Sequence, residues 1–86
     1  MVTVKKLIEA YGDKKLGNHR VEIHEDTVQR WYYYFATPIV KVDYLNETIT
    51  INDGGWRTPS TTRAINSYLR NLDYLQFTVV DERKGR

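Results

Sequence analysis

The chain has 86 residues, 13% aromatic side chains and no cysteine, which allows one domain and excludes a disulfide framework and any thiolate zinc site. Its 13 basic and 11 acidic residues give a net charge of +2 at pH 7. This near balance excludes a polybasic protein that binds nucleic acid by charge alone.

The first third of the chain predicts one short helix and one strand. Apolar residues at helical spacing predict a helix over residues 3–11, and a polar loop is expected over residues 13–18. Apolar and polar side chains then alternate over residues 20–24, which predicts a half-buried strand.

The strand predicted over residues 28–36 is aromatic on both faces. Alternation places its side chains in two rows, with Trp31, Tyr33 and Phe35 on one face and Arg30, Tyr32 and Tyr34 on the other. Several sheet-based proteins stack unpaired bases on exposed aromatic rows beside basic residues, so Arg30, Tyr32 and Tyr34 are candidate binding residues. The alternative is that the helices cover this row and that the tyrosines belong to the core.

The rest of the chain completes an α+β domain. The remaining elements are the two strands of a hairpin over residues 39–45 and 48–52, a helix from about Pro59 or Ser60 to Leu72, and a last strand over residues 75–80. Thr37-Pro38 is expected to end the strand before the hairpin, and Thr58, or alternatively Ser60, is expected to cap the helix. The predicted fold is a single α+β domain over residues 1–86, with a mostly antiparallel sheet of about five strands and two helices in the order α-β-β-β-β-α-β.

The start of the second helix is the sharpest candidate site. It combines an aromatic ring, arginines and hydroxyl side chains: Trp56, Arg57, Thr58, Ser60, Thr61 and Arg63. A helix start presents unpaired N–H groups and a partial positive charge, so the arginines and hydroxyls would hold a nucleic-acid backbone while Trp56 stacks on a base. The alternative is a well-capped helix whose Trp56 anchors the preceding loop in the core.

No catalytic, metal or cofactor site is predicted. The sequence holds no nucleophile elbow, no phosphate-binding glycine loop and no dinucleotide fingerprint, so the protein is expected not to be an enzyme. His19 and His24 lack a clear third metal ligand, and both are expected to be surface residues. No apolar run reaches the length of a membrane span and no signal peptide is recognised, so a cytoplasmic protein with no membrane partner is expected.

Residues 54–66 contain a motif that is similar to one in other proteins. It reads Gly-Gly-Trp-x-Thr, followed by Thr-Thr-Arg-x-Ile-Asn. With the two strands expected before it, the motif resembles small uncharacterised proteins of bacteriophages, and the resemblance extends over residues 37–72. In this chain Pro59-Ser60 stands between the threonines, which fits a helix start. The resemblance implies a viral setting, and hence the cytoplasm of a host cell, but no particular activity.

Two functions fit a small non-enzymatic phage protein. The first is an accessory protein that binds DNA or RNA through the helix-start arginines and hydroxyls together with aromatic side chains. The second is an inhibitor of a host defence protein, of anti-CRISPR or anti-restriction type, which acts by protein–protein occlusion. The expected partner is therefore nucleic acid or a host protein that handles nucleic acid. A homodimer that pairs through the aromatic strand is a third interpretation.

Overall fold

A computed structural model describes residues 4–10, 12–24, 28–55 and 58–83 as one six-stranded sheet with two α-helices. The elements are, in chain order, α1 (Val4–Ile8), β1 (Lys14–Leu16), β2 (His19–His24), β3 (Gln29–Tyr34), β4 (Thr37–Asp43), β5 (Thr48–Ile51), α2 (Pro59–Leu72), a 3₁₀ turn (Asp73–Leu75) and β6 (Thr78–Asp81). The predicted α+β class is confirmed, with six strands in place of about five.

The strands lie side by side in chain order. Strands β1 to β5 form an antiparallel meander, whereas β6 pairs parallel to β5. This change of direction follows from the connection, because α2 carries the chain back across the sheet before β6 begins. Strand β3 lies between β2 and β4, so both of its edges are paired. Edge-to-edge pairing of this strand with a second copy is therefore excluded, and a homodimer through its aromatic side chains stays a prediction.

The additional strand is β1, in a segment that the sequence pattern predicts to be a loop. It has three residues, two of them exposed lysines, so it lacks the alternation that identifies a half-buried strand. It forms because Gly17 adopts a positive φ of 59° and lets the chain turn back through Asn18. Leu16 then pairs with His19, and Lys14 with Val21.

Helix α2 begins and ends at the predicted residues. Thr58 has extended backbone angles and its Oγ1 accepts a hydrogen bond of 3.3 Å from the Thr61 N–H, while Pro59 occupies the first turn. Its apolar face buries Ala64, Ile65, Tyr68 and Leu72. The same helix is thus favoured by three features. These are the cap, the proline, which needs no hydrogen bond at this position, and the continuous apolar stripe.

The core lies between one face of the sheet and the two helices. Its strand residues alternate along the sheet and its helix residues come from α1 and α2, namely Val4, Leu7, Val21, Tyr32, Ile39, Val40, Val42, Ile49, Ile51, Ala64, Ile65, Tyr68 and Leu72. Helix α1 contributes only Val4 and Leu7, because it spans five residues and is shorter than predicted. Within the described ranges, no helix is long and apolar enough to cross a membrane.

The connection from β3 to β4 differs from the prediction. Thr37 and Pro38 begin β4 and pair with Tyr34 and Tyr33, so the expected break there is wrong. The register shifts between Tyr32 and Tyr33. A bulge of this kind accommodates the proline, which has no N–H to donate to the ladder.

Candidate nucleic-acid interface

The face of the sheet opposite the helices carries a row of rings and charges, which we call the open face. It consists of Lys15 on β1, Arg20, Glu22 and His24 on β2, Gln29, Trp31 and Tyr33 on β3, and Lys41 and Asp43 on β4. These residues alternate with Val21, Tyr32 and Val40, which point into the core. The open face is therefore the polar and aromatic counterpart of the buried strand residues.

Each ring of the open face has a cation against it. The Lys41 Nζ lies 4.3 Å from the centroid of the Trp31 ring, and the Arg20 guanidinium carbon lies 4.0 Å from the centroid of Tyr33. Lys41 is the direct cross-strand neighbour of Trp31, and Arg20 is that of Tyr33. The register of the sheet thus fixes both cation–π pairs at distances where the attraction is significant.

His24 completes the contacts of Trp31. The two ring centroids are 4.3 Å apart and the planes meet at 24°, which is a stacked arrangement. The Trp31 indole Nε1–H also donates a 3.0 Å hydrogen bond to Gln29 Oε1. These contacts hold the indole ring in one orientation on the sheet.

Glu22 balances part of the positive charge. Its Oε2 accepts a 2.9 Å hydrogen bond from Arg20 Nε, and its Oε1 lies 3.3 Å from His24 Nε2. Burial raises the pKa of Glu22, but hydrogen bonds from Arg20 and Tyr33 and the charge of Arg20 outweigh it, so the net shift is downwards. Glu22 therefore stays ionised and holds Arg20 in place beside Tyr33.

The predicted row of Arg30, Tyr32 and Tyr34 lies on the other face of the sheet. Tyr32 is 0% exposed and packs against Tyr68 with ring centroids 4.9 Å apart. Burial raises its pKa to about 12. Because no face of this ring reaches the surface, the prediction that Tyr32 stacks on a base is wrong, and the core alternative is the one observed.

Arg30 and Tyr34 are half-buried beside Tyr32. Arg30 Nη1 donates a 3.0 Å hydrogen bond to the carbonyl oxygen of Ile8 at the end of α1. The Tyr34 ring lies 4.9 Å from the His19 ring and packs on the core. The helices cover this side of the sheet, so these two residues support the packing of α1 and β2 and do not form an exposed row.

The hydroxyl groups at the start of α2 bond to one another. Thr58 Oγ1 lies 2.9 Å from Thr61 Oγ1 and 3.2 Å from Ser60 Oγ, and Thr61 is buried. Arg63 is exposed on the first turns of the helix. Trp56 and Arg57 lie outside the described residues. The cap alternative is therefore observed for the hydroxyls, and a phosphate contact at this helix start stays a prediction.

The stability of the fold is expected to depend on pH through His19. Its Nδ1 lies 3.3 Å from the Tyr68 hydroxyl, and burial lowers its pKa below the ordinary value of 6.5. Because the unfolded chain then binds more protons than the folded one near pH 6, stability is expected to fall as the pH drops through 6.5. We expect the urea midpoint to decrease from pH 7.5 to pH 5.5.

One variant assigns this pH dependence. His19→Gln should flatten it. An equally steep decrease in His19→Gln would show that other groups cause it. Within the described ranges, no group of three or more His, Asp or Glu side chains is placed to hold a metal ion.

The comparisons with known proteins add no relative. Neither a protein-family model, nor a curated protein, nor a solved structure matches the chain.

Proposed function

We propose that the protein is a small non-enzymatic accessory protein, of phage type, that binds single-stranded nucleic acid on the open face. The observation that carries the proposal is the pairing of Arg20 with Tyr33 and of Lys41 with Trp31. Rings that stack on bases, set beside cations that contact phosphates, are the two components of single-strand recognition. The open face holds both in one cross-strand row.

The charges support a backbone contact of moderate strength. Three cations, Lys15, Arg20 and Lys41, face the same side of the sheet as Trp31 and Tyr33, and the two carboxylates Glu22 and Asp43 on this side leave it a net charge of +1. In the complex, Arg20 and Lys41 would leave the ring faces for the phosphates, and bases would take their places on the rings. Each stacked base contributes about 1–3 kcal/mol. Three phosphate contacts correspond to a salt slope of about −2 for a single strand.

Single strands fit this surface better than duplexes. A sheet face presents a broad surface, whereas duplex readout needs a helix or a narrow ribbon that enters a groove. Unpaired bases, in contrast, expose the faces that stack on Trp31 and Tyr33.

Fluorescence anisotropy tests the proposal. Labelled single-stranded DNA, single-stranded RNA and duplex DNA are titrated at several salt concentrations between about 50 and 200 mM, the range over which counterion release is large. We expect micromolar binding of the single strands, weaker binding of the duplex and a slope near −2. No binding of a single strand at the lowest salt would contradict the proposal.

The double variant Arg20→Gln, Lys41→Gln locates the contact. It removes both cation–π pairs and leaves one phosphate contact, so the slope should fall from about −2 to about −0.7, whereas the matched double variant Lys5→Gln, Lys6→Gln on exposed positions of α1 should keep it. An unchanged slope in the first variant would place the phosphate contacts elsewhere.

An inhibitor of a host defence protein is the second candidate. Trp, Tyr and Arg are the residue types that most often dominate protein–protein interfaces, and Trp31, Tyr33 and Arg20 lie together on the open face. A stable stoichiometric complex with a defence nuclease in size-exclusion chromatography, lost in Trp31→Ala, would favour this function. Binding of single strands without any such complex would favour the first.

A further inference from the structure

A groove opens between the β3–β4 turn and the start of α2. Its volume is about 390 Å³, and its walls are mainly apolar. The residues that matter for its chemistry are Tyr34, Phe35, Ile39, Asp53, Thr58 and Ser60. We call it the turn–helix groove. It begins at the end of β3, directly after Tyr33 of the open face.

An exposed aromatic ring stands at the rim of the turn–helix groove. Phe35 is 61% exposed, and its φ of 56° lies in the left-handed region, which bulky residues rarely adopt. Its N–H donates a 2.7 Å hydrogen bond to the Asn18 carbonyl oxygen. The ring lies 4.7 Å from that of Tyr34, at 62°. The β3–β4 turn thus holds one aromatic ring towards solvent beside a second, half-buried ring.

The polar group of the groove is a buried carboxylate. Asp53 is 6% exposed, and its Oδ1 accepts a 2.9 Å hydrogen bond from the Gly55 N–H. Among the described residues this is the only donor that bonds to Asp53. A carboxylate accepts several hydrogen bonds, so Asp53 has acceptor capacity left for a ligand. A ligand for this groove needs an apolar or aromatic body and an edge of N–H donors.

We propose that the turn–helix groove binds a guanine base of the single strand, an inference that rests on the proposed function. Guanine presents two adjacent donors, N1–H and the 2-amino group, which match the two oxygens of one carboxylate. Adenine and cytosine place a ring acceptor beside their amino group, and uracil places carbonyl groups on both sides of its N3–H. Each of these three bases would direct an acceptor at Asp53. The exposed Phe35 ring, held edge-on to Tyr34, offers the stacking contact that a planar base needs.

The groove lies on the helix side of the sheet, beside the end of β3. Tyr33 faces outwards with Arg20 against it, whereas the next two residues, Tyr34 and Phe35, line the groove. A strand that stacks on Trp31 and Tyr33 would therefore pass around the β3–β4 turn to place a base in the groove. The open face would then supply affinity without regard to sequence, and Asp53 would supply a preference for one base.

The test uses soluble mononucleotides, because they share one phosphate and differ only in the base. Guanosine, inosine and xanthosine 5′-monophosphates are titrated into the wild-type protein while the amide resonances of Phe35 and Gly55 are followed by NMR. Inosine monophosphate lacks the 2-amino group and therefore loses one hydrogen bond to Asp53. We expect it to bind about tenfold more weakly than guanosine monophosphate, because one such bond is typically worth about that factor. Equal binding of the two, or shifts confined to the open face, would overturn the inference.

Asp53→Asn should change which nucleotide the groove prefers, whereas a purely structural role of Asp53 would predict no such change. The asparagine keeps the acceptor for Gly55 but presents an N–H₂ donor in place of the second oxygen. Xanthine carries a carbonyl where guanine carries the amino group, so the variant should prefer xanthosine monophosphate. The matched control Asp73→Asn, at an exposed position after α2, should retain the guanosine preference. A guanosine preference that survives in Asp53→Asn would overturn the inference.

A second variant keeps the test informative if Asp53→Asn is poorly folded. Ala36 is exposed in the turn and lines the groove, so Ala36→Leu should narrow the groove and weaken binding of guanosine monophosphate several-fold without unfolding the protein. Unchanged binding in Ala36→Leu would place the base elsewhere.

Two further results separate the outcomes. Binding of agmatine in place of the nucleotides would overturn the guanine inference, because it would identify the groove as a site for an arginine side chain of a partner protein. Oligonucleotides that bind the open face with no preference for guanine would overturn the inference and leave the proposed function intact. Absence of oligonucleotide binding at any salt would contradict the proposed function itself.

Discussion

Replacing Trp31 by alanine is expected to weaken the binding of single-stranded nucleic acid by roughly five- to 150-fold, which corresponds to about 1–3 kcal/mol for one stacked base. The ring lies at the centre of the open face, between His24 and Lys41. The substitution removes the stacking surface and also frees Lys41, which then has no fixed position. Anisotropy titrations at one salt concentration measure the change.

The matched control is another exposed aromatic side chain of the same protein. Tyr74 is 68% exposed and lies in the 3₁₀ turn, far from the open face in sequence and on a different element. Tyr74→Ala should bind as the wild type does. If Trp31→Ala and Tyr74→Ala bind equally well, the rings of the open face do not contact the nucleic acid. Thermal unfolding of both variants checks that each is folded.

Replacing Tyr68 by alanine is expected to cost about 3–5 kcal/mol of unfolding free energy, as for other large aromatic residues in cores. Tyr68 is fully buried on α2 and is the residue that joins this helix to β2 and β3, through ring contacts with His19 and Tyr32. Its removal leaves a cavity at the centre of the core. Urea unfolding followed by circular dichroism measures the loss.

A smaller substitution separates packing from hydrogen bonding. Tyr68→Phe keeps the ring and loses only the contact of its hydroxyl with His19 Nδ1, so it should cost about 0.5–1.5 kcal/mol. An alanine variant no less stable than the phenylalanine variant would mean that Tyr68 is not a core residue. Burial of the hydroxyl raises the pKa of Tyr68, so this comparison is unaffected by its ionisation near neutral pH.

Helix α2 could be predicted closely, with its start left open only between Pro59 and Ser60, because all of its signals are local. Thr58, Pro59 and the apolar stripe lie within one stretch of chain, and none of them depends on the rest of the fold. The hairpin of β4 and β5 was predictable for the same reason. Its ends moved by at most two residues, including the start of β4, where the bulge draws Thr37 and Pro38 into the strand.

The exposed face of β3 could not be predicted in this way. Both of its rows are aromatic, so alternation separates the rows without showing which of them the helices cover. The answer comes from the pairing of β2 with β3, in which Val21 lies opposite Tyr32 and Glu22 lies opposite Trp31. That register depends on the turn between the two strands. The apolar Val21 would have indicated the buried row had the register been known.

The turn–helix groove could not be predicted from the sequence, for a related reason. Asp53 and Ser60 lie near each other in sequence, and Ser60 was already a candidate, but Phe35 comes from a different part of the chain. Only the folded sheet brings the β3–β4 turn against the start of α2. The candidate residues Thr58, Ser60 and Thr61 were therefore correctly placed beside one another, while the ring and the carboxylate that share their groove were missed.

Among the described residues, β1 and β6 are the outermost strands of the sheet. Strands in this position invite the addition of a strand from another molecule and hence aggregation. Both are short, and each carries charged side chains: β1 has Lys14 and Lys15 among its three residues, and β6 ends at the ion pair of Asp81 with Arg83. Short length and charge oppose edge-to-edge pairing, which offsets the exposure of Val79 and Val80 on β6. These features favour contacts through the open face over contacts through the edges of the sheet.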